Sequence, residues 1–153
     1  GVDRIWGHQF SMHTNMTSVS IPDTVTAIDN YAFAFCDSLV SITLPAGITT
    51  LPTNVFAKCT SLKSINLNKV TSLGYRAFEG CTSLVTVALP ETLDTLPNNM
   101  FGACISLRDV SLSSLTKSIG YYAFSYCRNL RNINVGNALV DDQAFMGCET
   151  LAS

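Results

Sequence analysis

The chain has 153 residues, of which 47% are hydrophobic and 13% are charged, and its formal net charge is −2. This balance excludes the strong positive field that nucleic-acid and anionic-membrane binding favour. No stretch approaches the roughly 18 consecutive apolar residues of a membrane span. We therefore expect neither a nucleic acid among the partners nor direct insertion into a membrane.

A triplet of phenylalanine, cysteine and leucine, with three residues from each to the next, recurs six times along the chain. Successive cysteines are 23, 22, 23, 23 and 21 residues apart. A fixed period of this length is the signature of a repeat solenoid, whose units bury their apolar faces against one another. The predicted structural core consists of Phe33, Cys36, Phe56, Cys59, Phe78, Cys81, Phe101, Cys104, Phe124, Cys127, Phe145 and Cys148.

The residue pattern of each repeat predicts a strand, a return segment and a helical turn. Ile42 and Leu44 lie two apart and share one face of a strand, and Pro45 then ends its ladder. Asp29 stands where a helix N-cap would, and Phe33 and Cys36 fit a helical or 3-10 turn. The prediction is an α/β repeat solenoid: about seven coils of 21–23 residues, a parallel β-sheet on one face and short helical or 3-10 turns on the other.

The repeats extend over the whole chain, so we expect a single domain, residues 1–153, taken from a longer protein. Residues 1–22 form a divergent first repeat, and residues 140–153 form a truncated last one. In the first repeat His13 takes the cysteine position, either as a ligand or as a polar residue near an open end. Because solenoid ends need polar caps, end-to-end self-association is a further expectation.

A second period of about 45 residues is visible in the sequence. Residues 36–71 align without a gap on residues 81–116. The turns alternate between a tyrosine-rich form (DNYAF, GYRAF, GYYAF) and a proline–asparagine form (LPTNVF, LPNNMF). The alternation indicates duplication of a two-repeat unit, so any binding feature is expected to recur on every second coil.

The six cysteines are expected to be reduced and buried. Each occupies the same position of its repeat, so stacking makes their Cβ vectors parallel and about 5 Å apart, whereas a disulfide needs about 3.8 Å. No CxxC or HxxxH spacing suggests a metal site. Neither a metal nor a cofactor is predicted.

Residues that alternate with the core positions should form columns on the exposed face of the sheet. Two columns are small and polar without any aromatic residue, which disfavours sugar stacking, and a flanking column carries three cations. These cations either pair with acidic groups of a protein partner or are solvated charges that keep the sheet soluble. The candidate partner-binding residues are Lys63, Arg108, Arg131, Ser41, Thr43, Ser64, Asn66, Asp109, Ser111, Asn132 and Asn134.

Tyrosines gather near the turns and form a secondary candidate edge. Tyrosine suits interfaces because it supplies a large area with few rotatable bonds. The alternative is that each ring lies over the next coil and fills the gap between turns. The residues of this edge are Tyr31, Tyr75, Tyr121, Tyr122 and Tyr126.

The runs IDNYAFAFCDSLVSITLP, LGYRAFEGCTSLVTVALP and IGYYAFSYCRNLRNINV resemble the BspA-like class of leucine-rich repeats. The resemblance implies a right-handed parallel solenoid and a cell-surface or secreted protein of a bacterium or a protist. Members of this family are associated with adhesion to host proteins, host cells or other microbes. The resemblance therefore implies an extracellular or cell-surface location and a host extracellular-matrix or cell-surface protein as the partner.

Catalysis is not expected. Both histidines lie in the divergent first repeat, so the regular repeats offer no Ser–His–Asp or Cys–His arrangement, and no phosphate-binding glycine loop occurs. The prediction is a non-catalytic protein-interaction module, in extracellular or cell-surface adhesion. The alternative is an intracellular or structural scaffold within a larger protein, which the unpaired cysteines favour because they suit a reducing compartment.

Overall fold

A computed structural model describes residues 1–152. Over these residues the chain forms eleven short β-strands and no helix, and so no helix that could cross a membrane. The strands are β1 (Arg4–Ile5), β2 (Ser18–Ser20), β3 (Ala27–Ile28), β4 (Ser41–Thr43), β5 (Thr50–Leu51), β6 (Ser72–Leu73), β7 (Thr86–Ala88), β8 (Thr95–Leu96), β9 (Asp109–Ser111), β10 (Ser118–Ile119) and β11 (Leu139–Val140).

The strands lie on two sides of each coil, and all their pairings are parallel. We call β2, β4, β7 and β9 the strand face; β2 pairs with β4, and β7 with β9. The seven two-residue strands form the return face, where β1 pairs with β3, β5 with β6, and β10 with both β8 and β11. The third side, between each return strand and the following strand-face segment, is the turn face. From β1 to β11 the chain completes about six turns.

The predicted helical or 3-10 turns are wrong, and the α/β class and the seven coils are wrong with them. Amides on the turn face alternate between two kinds of partner. Ala32 N donates to Asp29 O in its own coil (3.3 Å), whereas Phe33 N donates to Val55 O in the next coil (3.0 Å). A helix needs successive amides to bond within their own segment. Here every second amide bonds to the neighbouring coil, so a solenoid of β-strands and turns forms instead.

Left-handed residues complete these turns. Tyr31, for example, has a φ of 60° and is the third residue of the turn closed by Ala32 N and Asp29 O. A type II turn requires a positive φ at its third residue. Two such residues, four apart, occur at each passage of the chain along the turn face: His8 and Met12, Tyr31 and Phe35, Asn54 and Lys58, Arg76 and Gly80, Asn99 and Ala103, Tyr122 and Tyr126, Gln143 and Gly147.

The core is built from columns of identical residues. Consecutive phenylalanine rings from Phe10 to Phe145 are stacked with centroids 5.3–5.6 Å apart. Each cysteine thiol donates to the carbonyl of a phenylalanine in the preceding coil, as Cys81 Sγ does to Phe56 O at 3.2 Å. Phe145 and Cys148 are only partly buried. The fully buried members are Phe33, Cys36, Phe56, Cys59, Phe78, Cys81, Phe101, Cys104, Phe124 and Cys127.

The two-coil period has a backbone cause on the return face. Gly74 N donates to Leu51 O (2.7 Å) and thereby joins the coil of β6 to that of β5. Pro52 and Pro97 occupy the same position in alternate coils and have no N–H to donate. Because these prolines donate no hydrogen bond to the preceding coil, β5 does not pair with β3 and β8 does not pair with β6 within residues 27–96.

Each proline coil is followed by a coil with glycine at that position. A Cβ at Gly74 would lie 2.4 Å from Thr53 N and 2.5 Å from Pro52 C. A Cβ at Gly120 would lie 2.4 Å from Asn98 Oδ1 and 2.9 Å from Asn98 N. The two forms of turn are therefore complementary, because the proline coil approaches so closely that only glycine fits opposite it.

Candidate functional site

The candidate partner-binding residues form one face of the solenoid. All eleven are exposed, whereas the central residues of β4, β7 and β9 are buried. Parallel register places Thr86 beside Asp109, and a bridge places Asp109 beside Asn132. Thr86 and Ala88 are exposed in the same columns, where the period-two alternation predicts them, but they are not among the candidate residues.

The strand face is interrupted at residues 64–66, which do not form a strand. A shallow depression there is lined by residues 64–68, 86 and 88–92. Asn66 Oδ1 accepts a hydrogen bond from Asn68 N (3.0 Å), and Asn134 Oδ1 accepts one from Gly136 N (3.0 Å). These side-chain turns end the segment where other repeats carry proline. The side-chain oxygens of Asn66 and Asn134 are thus engaged in the fold, and the NH₂ groups of these two residues make no hydrogen bond within residues 1–152.

The three cations of the flanking column lie on three of four successive coils, and Val85 holds the position between Lys63 and Arg108. Arg108 N donates to Val85 O (2.9 Å), and Arg131 N donates to Arg108 O (3.1 Å). Among residues 1–152 none of these three cations makes an ion pair or a side-chain hydrogen bond. The ion pairs in that part of the chain are Arg4–Asp29, Arg76–Glu79, Lys117–Asp94 and Arg128–Glu149.

The tyrosine edge is divided into separate contacts. Tyr75, Tyr121 and Tyr126 are 40–45% exposed, and Tyr31 and Tyr122 are half-buried. The Arg76 guanidinium lies 4.9 Å from the centroid of the Tyr75 ring. The remaining contacts are a His8 ring stacked on Tyr31 at 4.8 Å, a tilted Tyr121–Tyr122 pair at 6.2 Å, and Tyr126 covering Gly147 in the next coil. Tyr126 thus lies over the next coil, as the packing alternative describes, whereas Tyr75 and the Tyr121–Tyr122 pair contact residues of their own coil.

The thiol column is built for packing. Burial raises the pKa of Cys81 to about 12, and it also raises the pKa values of Cys104, Cys127 and Cys148. Because protonated thiols are weak nucleophiles, the buried interior of the column is suited to packing rather than to chemistry.

His13 is exposed at the start of this column. Its Nδ1 lies 2.9 Å from Phe10 O, a backbone contact within its own coil. In the described part of the chain no three His, Cys, Asp or Glu side chains come together in a way that could hold a metal ion. The structure therefore gives His13 a local hydrogen-bonding contact.

A parallel β-solenoid whose repeats each contribute one phenylalanine, one cysteine and one leucine to the core columns is a leucine-rich-repeat architecture. Six copies of the BspA type leucine rich repeat region match residues 1–78 and 38–152. The chain therefore belongs to the BspA-type leucine-rich repeat family, as the sequence motifs predict. No curated protein matches it.

Solved bacterial leucine-rich repeat proteins have the same fold. A protein from Bacteroides ovatus is 29% identical with a TM-score of 0.89, and the match covers 98% of this chain and 40% of that one. The T. pallidum leucine rich repeat protein is 30% identical with a TM-score of 0.88, covering 99% and 72%. A protein from Eubacterium ventriosum is 29% identical with a TM-score of 0.67, covering 86% and 43%. The chain thus spans less than half the length of two of these three proteins.

Proposed function

We propose that this chain is a non-catalytic protein-interaction module that acts in adhesion at the cell surface and binds its partner through the strand face. One observation carries the proposal: eleven exposed side chains, most of them small and polar, lie on one side of four coils. Such a face offers many hydrogen-bonding groups over an extended surface, which is how solenoids bind their partners. The resemblance to BspA-like proteins supports the surface location and a host protein as the partner.

A scaffold within a larger protein is the second candidate function. The free state of all six cysteines favours it, since unpaired thiols persist in a reducing compartment. Burial of five of them reduces the weight of this observation, because a buried thiol is protected from oxidants. Protease treatment of intact cells distinguishes the two functions: a surface adhesin is digested, whereas an internal scaffold is protected.

Binding of the purified module to immobilised host matrix proteins and cell-surface proteins tests the interaction itself. Ser111 is an exposed serine of β9 on the strand face, and Ser72 is an exposed serine on the return face. A bulky side chain at either exposed position leaves the core intact. We expect Ser111→Trp to weaken binding at least tenfold and Ser72→Trp to leave it unchanged, with equal melting temperatures for the two variants.

Two outcomes would contradict this function. If no matrix or cell-surface protein binds, adhesion is refuted. If Ser72→Trp weakens binding and Ser111→Trp does not, the module binds, but through the return face rather than the strand face.

A further inference from the structure

We infer that the partner presents an acidic protein segment to the cation row, which we define as Lys63, Arg108 and Arg131. This inference rests on the proposed function and names the chemistry of its partner. The row is the only group of cations in residues 1–152 that shares one column, is exposed and has no ion-pair partner. Because the chain as a whole carries a net charge of −2, the row is a local positive feature and does not follow from overall charge.

Nearby small side chains leave the row accessible. On the strand face it is flanked by Ser64, Asp109 and Asn132, whose side chains are shorter than those of arginine and lysine. The guanidinium groups of Arg108 and Arg131 therefore extend beyond their neighbours, and each can take a carboxylate in a bidentate arrangement. A lysine at 108 or 131 would lack this geometry, so the choice of arginine at both points favours carboxylates as the groups bound.

The length of the row defines the length of the segment. Arg131 is bonded to Arg108, and Lys63 lies two coils away on the other side of Val85. With neighbouring coils about 4.8 Å apart, the row spans roughly 14 Å along the solenoid axis. An extended chain rises about 3.3 Å per residue, so a segment of about five residues covers the row. Two or three Asp or Glu residues in such a segment would meet its three cations.

One acidic residue of the face sets a limit on where the segment lies. Asp109 is exposed next to Arg108 and has no ion pair within the described residues. Its carboxylate repels an acidic ligand that crosses into the polar columns, so the segment must follow the flanking column. Removal of this charge by Asp109→Asn should therefore tighten binding, an effect that a purely structural role of Asp109 would not produce.

Fluorescence anisotropy with a labelled peptide of alternating Asp and Ser, about ten residues long so that it exceeds the row, tests the inference directly. We expect the protein to bind this peptide at least roughly tenfold more tightly than its counterpart with Asn in place of Asp. Binding should weaken as salt is raised from about 50 to 300 mM, because screening acts on exposed charges. Asp109→Asn should tighten it.

The matched variants are two double charge reversals and one double replacement by neutral glutamine. Arg108→Glu with Arg131→Glu should abolish binding of the Asp peptide, and the neutral pair Arg108→Gln with Arg131→Gln should weaken it. Lys58→Glu with Lys69→Glu changes the net charge equally at exposed positions outside the row and outside the described ion pairs, and should leave binding within about twofold. Equal melting temperatures would show that all variants are folded.

Three results would overturn the inference while leaving the proposed function intact. The Asp and Asn peptides could bind equally, both double charge reversals could weaken binding alike, or a sulfated glycan could bind more tightly than the Asp peptide. A fourth result would also separate the inference from the proposed function. If binding of a matrix or cell-surface protein survives the reversal at 108 and 131 but is lost in Ser111→Trp, the strand face binds its partner, but not through an acidic segment.

Discussion

Replacement of Gly74 by alanine tests the physical basis of the two-coil period. The new Cβ would lie 2.4 Å from Thr53 N, 2.5 Å from Pro52 C and 2.9 Å from Pro52 O. Ordinary contacts of a Cβ begin at 3.4 Å, so the overlap is about 1 Å with backbone atoms that no side-chain rotation can move. Overpacking of this kind typically costs 1–3 kcal/mol and occasionally more, and for an overlap with backbone we expect about 3 kcal/mol.

Gly102→Ala is the matched control. A Cβ there would lie 3.4 Å from Ser125 Oγ, an ordinary contact, and φ at Gly102 is not left-handed. Ala34 and Ala57 fill the same position in two other coils. The control should therefore be neutral or stabilising by about 0.4–1 kcal/mol, since alanine reduces the entropy of the unfolded chain.

Thermal unfolding followed by circular dichroism measures the difference. For a domain of this size each kcal/mol shifts the melting temperature by about 2–4 °C. Gly74→Ala should therefore melt roughly 6–12 °C below the wild type, and Gly102→Ala at or slightly above it. Equal melting temperatures for the two variants would refute the claim that the proline coil excludes a side chain from its neighbour.

Two further predictions concern the thiol column and the left-handed positions. Burial raises the folded-state pKa of Cys81, Cys104 and Cys127 above the value of about 8.5 in the unfolded chain. The unfolded state therefore loses these protons first, and above pH 8.5 stability should fall by up to about 1.4 kcal/mol per pH unit for each thiol. Urea unfolding at pH 7 and pH 9.5 in the presence of reductant checks this, and unchanged stability would contradict it. Ala103→Gly should stabilise by roughly 0.5–1 kcal/mol, because φ is 58° there and glycine already occupies this position at Gly80 and Gly147. Ala57→Gly, at an ordinary φ, should destabilise, and a gain in both variants would contradict the argument.

The core columns could be predicted from the sequence because one residue type returns at a nearly constant interval. A buried column needs the same shape in every coil, so Phe33, Cys36 and their equivalents mark the interior without further information. The same period-two argument places Ser41 and Thr43 on the exposed side of a strand. Periodicity is sufficient wherever a residue's position within the coil decides its burial.

The turn face could not be predicted in this way, because a spacing of three residues fits a helical turn and a series of β-turns equally well. The choice is made by hydrogen bonds between coils, such as Phe33 N to Val55 O, which depend on residues 22 positions apart. Tyr31 and Phe35 are not residues that signal a left-handed conformation. Gly80 and Gly147, in the same position as Phe35, and Asn54 and Asn99, in the same position as Tyr31, are the residues whose types indicate a positive φ.

The candidate site could likewise be predicted from the sequence only in part. The column of Lys63, Arg108 and Arg131 follows from the repeat, but its lack of ion pairs depends on where every acidic side chain lies. The structure shows that Asp94 and Glu149 bind Lys117 and Arg128 instead. It likewise shows that Tyr126 covers Gly147, a contact that depends on a side-chain orientation and not on the period.

The measurement that tests the central claim most directly is NMR mapping of the module with a bound host protein or the Asp peptide. At 16.5 kDa the chain is suited to amide-resolved spectra. We predict that the largest chemical-shift changes lie on the strand face at residues 108–111 and 131–134, with Lys63 also affected. Changes confined to Tyr75, Tyr121 and Tyr126, or to the return face, would contradict it.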